Sequence, residues 1–85
     1  MRTAMKEDIR EMVQASRLDK RALRLETSSG SVYHLYPIDD RLWTVVRLGV
    51  DGTSSFHDGV VISQKGTDLR VGPWATTGMR DLSFL

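Results

Sequence analysis

The sequence predicts an α+β domain: one N-terminal amphipathic helix followed by a five- to six-stranded, curved antiparallel sheet or small open β-barrel. Three observations point there. Apolar residues up to position 16 recur at helical spacing, the period falls to two from residue 22 onward, and turn-forming residues punctuate that second stretch. With 85 residues and no cysteine, the chain has room for one domain, residues 1–85, divided into a helical part (1–18) and a β-meander (22–85).

The helix is expected over residues 3–16. Met5, Ile9, Met12 and Val13 form one apolar stripe, while Lys6, Glu7, Arg10 and Glu11 fill the opposite arc. Thr3 is a candidate N-cap, and Glu7 and Asp8 sit near the positive end of the helix dipole. A helix this short is marginal alone, so its stripe needs a partner surface. That surface is either the chain's own sheet or a second copy, and the same four residues are therefore the candidate interface of a homodimer.

Leu23, Leu25 and Thr27 alternate with Arg24 and Glu26 in a first strand, and Ser28-Ser29-Gly30 turns the chain into a second strand ending at Tyr36. Pro37-Ile38-Asp39-Asp40 is expected to turn it again, into the longest strand, residues 41–49. Asp51-Gly52 and Asp58-Gly59 are further turn signals. Val60-Val61-Ile62 is a short apolar run, Gln64-Lys65-Gly66 reverses the chain into residues 68–71, and a last strand starts near Met79.

Turn length sets register. A three-residue loop at 28–30 puts Leu25 opposite Tyr33 and Leu23 opposite Leu35. A four-residue loop at 37–40 puts Tyr36 opposite Arg41 and Leu35 opposite Leu42. The expected core face is then Leu23, Leu25, Tyr33, Leu35, Leu42, Val46 and Leu48. The opposite face gathers Arg24, His34 and Trp43 in one row and Ala22, Tyr36 and Arg41 in the next, with Val32 and Val45 alongside. Two readings of that face follow. Packing of the helix onto Trp43, Tyr36, Val32 and Val45 is the favoured one. The other is a stacking surface for single-stranded nucleic acid, with Arg17, Lys20, Arg21 and Arg24 supplying nearby cations.

Charge does not choose between them. Residues 1–24 hold seven basic and four acidic side chains, residues 25–85 five and seven, and the whole chain is +1. Zero cysteine excludes a disulfide scaffold, a thiol nucleophile, a Cys-based zinc site and an iron–sulfur cluster. His57-Asp58 stands without the further groups a triad or metal site requires, and Asp39-Asp40 reads as turn chemistry. No glycine-rich phosphate motif occurs. No catalytic residue, cofactor or metal is expected, and the chain reads as a non-enzymatic binding module. The N-terminus lacks the apolar segment of a signal peptide, and no apolar run approaches a membrane span, so a soluble, cytoplasmic protein is expected.

The stretch from Leu25 through Thr27-Ser28-Ser29-Gly30-Ser31-Val32-Tyr33 to Leu35, followed by Trp43 and Arg47, resembles short β-rich proteins of actinobacteria and their bacteriophages. Trp74-Ala75-Thr76-Thr77-Gly78 and Leu82-Ser83-Phe84 look similar to their final strand. The resemblance implies a phage or mobile-element accessory protein that contacts a host or phage protein. It carries no assigned functional residue.

Overall fold

The apolar stripe of the first segment does form a helix. α1 spans Lys6–Asp19 in the computed structural model, which describes residues 6–74 and 78–85. The expected Thr3 cap and the Met5 end of the stripe lie outside the described residues. α1 ends three residues later than expected because of how it is closed. Lys20 takes a left-handed backbone, φ 55°, and the Arg21 N–H reaches back five residues to the Ser16 carbonyl at 3.1 Å. The Ser16 hydroxyl donates to the Arg21 carbonyl in return. Lysine thus fills a position that usually belongs to glycine, at a cost of about 1 kcal/mol.

Six strands follow: β1 Leu23–Thr27, β2 Val32–Pro37, β3 Leu42–Leu48, β4 Ser54–Lys65, β5 Asp68–Val71 and β6 Met79–Phe84. All neighbours are antiparallel, in the order β5-β4-β3-β2-β1-β6, and the sheet curls into a nearly closed, barrel-like form. Near the gap, the Met79 N–H at the start of β6 donates to the Asp68 carboxylate of β5 at 3.1 Å. Among the described residues no helix is long and apolar enough to cross a membrane.

The first hairpin has the register its turn length requires, with Leu23 opposite Leu35, Arg24 opposite His34 and Leu25 opposite Tyr33. The second hairpin does not. Leu35 faces Val45, Tyr36 faces Thr44 and Pro37 faces Trp43, where Leu42 and Arg41 were expected. The reason is the Asp39 carboxylate. It accepts the Arg41 and Leu42 N–H groups at 2.7 and 2.8 Å, while Ile38 donates to the Leu42 carbonyl at 2.9 Å. The loop is therefore Asp39-Asp40-Arg41, and Pro37 belongs to the strand. Those two amides, Arg41 first, with help from the Lys20 and Arg41 charges, hold the Asp39 carboxyl below its ordinary value.

An odd shift in register turns a strand over. Trp43 and Val45 are buried, whereas Leu42 and Val46 are only half-buried and Leu48 is exposed. The expected core members Leu42, Val46 and Leu48 are thus replaced by Trp43 and Val45.

β4 holds the second correction. Asp58-Gly59 is not a turn but lies inside a 12-residue strand, the longest among the described residues. The ladder pairs Trp43 with Val60 and Val45 with His57, so two residues of β4 bulge opposite Thr44. Gly59, at φ 71°, supplies the backbone that the bulge needs. After Val61 β4 leaves β3 for β5, pairing Ile62 with Val71 and Lys65 with Asp68. The bulge, set just before β4 passes from one ladder to the next, is what bends the sheet.

Ile9, Leu23, Leu25, Leu35, Trp43, Val45, Leu69 and Val71 form the centre of the core, with Met12 and Val13 packed against it. The helix therefore lies on the concave face, the same face as Leu23 and Leu35. The convex face, with Val32 and Tyr36, is left to the outside.

Two stability outcomes follow. Leu35→Ala should cost about 2–5 kcal/mol in urea unfolding, whereas Leu18→Ala, at a side chain 83% exposed, should shift it by no more than about 0.5 kcal/mol. Lys20→Gly should raise stability by about 1 kcal/mol, because it removes the left-handed strain; an unchanged or lower midpoint would contradict that account of the helix end.

Candidate functional site

The register correction splits the group of aromatic and basic side chains expected to share one face. Trp43 is in the core. Arg17, on the inner side of α1, lays its guanidinium carbon 5.6 Å from the centre of the Trp43 ring. Neither Arg17 Nε nor Trp43 Nε1 finds a hydrogen-bond acceptor among the described residues, so the ring-to-cation contact itself joins helix to sheet. Arg21 stacks on Phe84 at 3.9 Å. Lys20 donates to the Ile38 carbonyl at 3.3 Å, and Arg41 stands in the Asp39 turn.

What remains on the convex face is different from the expected patch. Arg24 and His34 are opposite one another, as expected. The row then continues through Val46 to Phe56 of β4. Phe56 is 64% exposed. Tyr36 lies two positions from His34 on the same face and Leu48 two positions from Val46, and both are exposed. The row ends in two apolar side chains, Val46 and the exposed Phe56.

The cations beside that row are already paired. Arg24 meets Glu26 at 3.2 Å, and Arg80 reaches the other oxygen of the same carboxylate at 3.4 Å. Glu26 is itself largely buried, at 16% side-chain exposure, so it binds both guanidinium groups in a setting less screened than open solvent.

A second cluster gathers around Tyr33 and Trp74. The Arg47 Nε–H donates to the Tyr33 hydroxyl at 3.3 Å, Trp74 lies 5.8 Å from the Tyr33 ring, and His57 meets Trp74 edge-on at 4.6 Å. His57 and Asp58 turn apart: the imidazole is against Trp74, while the Asp58 carboxylate accepts from the Thr44 hydroxyl. Adjacent strand residues point to opposite faces, so this pair has no geometry for joint acid–base work. Behind Trp74, a cleft of about 290 Å³ is lined by Val61, Ser63, Arg70, Gly72, Pro73 and Trp74. No group of three or more His, Asp or Glu side chains placed to hold a metal ion occurs among the described residues.

The helix stripe offered as a dimer contact faces inward over its described part: Ile9 is buried, and Met12 and Val13 pack on the sheet. Met12 also borders a shallow hollow with Asp8, Glu11, Ala15 and Phe84.

No protein-family model, curated protein or solved structure matches the chain.

The Arg17–Trp43 contact has a direct readout. Arg17→Ala should lower stability by about 1–2 kcal/mol and shift tryptophan emission to longer wavelength as water reaches the ring. An unshifted spectrum with wild-type stability would show that the guanidinium is not what seals the indole.

Proposed function

We propose that this chain is a small non-enzymatic binding module that meets another protein through the convex face of β2, β3 and β4. The observation that carries the reading is the row Arg24–His34–Val46–Phe56, flanked by exposed Tyr36 and Leu48. Scattered exposed apolar residues are ordinary, but apolar side chains joined into one patch and rimmed by polar ones favour a protein contact. The occupant that fits is an extended peptide segment with apolar or aromatic side chains at alternate positions. Such a segment would lie along the pleat and cover Phe56 and Val46. The resemblance to actinobacteriophage proteins supports an accessory role for this contact in the cytoplasm of a host cell.

Nucleic acid is the second reading, and the pairing of the cations weighs against it. Arg24 and Arg80 share Glu26, and Arg17 and Arg21 lie against Trp43 and Phe84. A phosphate backbone would compete with those partners for the guanidinium groups.

Selection of a displayed peptide library on the immobilised protein tests both. Enriched peptides should carry apolar residues at alternate positions, and Phe56→Asp should weaken their binding by about tenfold or more. If instead fluorescent oligonucleotides bind at low salt, and the binding falls with salt and with Arg24→Ala, the face serves nucleic acid.

A further inference from the structure

The first half of β4 is a sheet edge. Residues 54–57 pair with β3 on one side, but β5 pairs only with residues 62–65, so no strand lies on their other side among the described residues. Every second residue of this stretch therefore turns a backbone N–H and C=O outward. Proteins usually blunt such an edge with lysine, proline or an inward charge. Residues 54–58 read Ser-Ser-Phe-His-Asp, with neither lysine nor proline, and the bulge at Gly59 limits the edge only at its far end.

We propose that this edge pairs with the same edge of a second copy, antiparallel, about a two-fold axis through Phe56. The segment is complementary to itself in that alignment. Phe56 faces the second Phe56, Ser55 faces His57, and Ser54 faces Asp58, so no like charges are opposed and a hydroxyl donor stands across from each carboxylate. A two-fold normal to the sheet requires opposed residues to share a face, and each of these pairs does. The alignment also joins the row Arg24–His34–Val46–Phe56 of one copy end to end with that of the other. The interface is small, below about 1,200 Å², so the pair exchanges with monomer and its population depends on concentration. The pairing stands on the edge and not on the peptide-binding reading of the face. A monomer whose peptide binding still depends on Phe56 would overturn the first and leave the second.

Sedimentation velocity on the full chain, from micromolar to millimolar concentration, should show the mass rising toward that of a dimer. Phe56→Lys and Phe56→Asp each place like charges across the axis and should raise the dissociation constant by about a hundredfold. An equimolar mixture of the two should associate again. Because Phe56 is 64% exposed, both variants should keep the wild-type circular dichroism, and a loss of fold is thereby told apart from a loss of pairing. The chain has no cysteine, so Phe56→Cys offers a readout independent of charge: under mild oxidation it should form a covalent dimer faster than Leu18→Cys. A wild-type mass that stays monomeric throughout, a Phe56→Lys that pairs as wild type does, or a mixture that stays monomeric would each overturn the inference.

Discussion

The arrangement of side chains in this molecule depends on one carboxylate. By accepting the amides of Arg41 and Leu42, Asp39 makes a three-residue loop and fixes which residues of β3 meet β2. That choice sends Trp43 and Val45 inward. The inward Trp43 then gives α1 its anchor, because Arg17 has an indole to lie against. It also empties the convex face of its expected tryptophan and leaves Val46 beside His34. A turn at the surface thus decides both what is buried and what a partner would meet.

The bulge at Gly59 is the second determinant, and it acts through curvature. A straight β4 would carry residues 62–65 past the end of β3 and leave Ile62 exposed. Bent, the strand returns Ile62 to the core beside Leu69 and Val71, and the hairpin of β4 and β5 folds over toward β6. The curl that closes the barrel is the same one that lets a single short helix cover its concave side.

The parts of this structure that were legible in the sequence are those governed by local spacing. The stripe at Ile9, Met12 and Val13 specified a helix, and Ser28-Ser29-Gly30 specified the first hairpin down to the pairing of Arg24 with His34. Pro37 misled, since a proline that reads as the start of a turn also fits the last position of a strand. Asp58-Gly59 misled for a related reason: the left-handed glycine that closes a hairpin serves a bulge equally well. The strand around Phe56 carries no signal of its own, because Ser55 and His57 give no alternation that would identify it. The fates of the cations were not legible at all. Whether Arg17 faces solvent or an indole, and whether Arg24 is free or held by Glu26, depends on contacts between distant segments that composition does not encode.

The near-closure of the sheet has a consequence for how far association could proceed. Open edges at both margins of a sheet invite addition without end, copy upon copy, as in a fibril. Here the margin opposite β4 is obstructed. Asp68 takes the Met79 N–H at one end of β6, α1 borders Phe84 at the other, and charged Arg80 and Asp81 lie between. A two-fold pair made by residues 54–58 uses that edge in both copies at once, so the same contact cannot add a third molecule. Its self-association would end at a closed pair, which lets an exposed phenylalanine persist on a strand edge without seeding an aggregate.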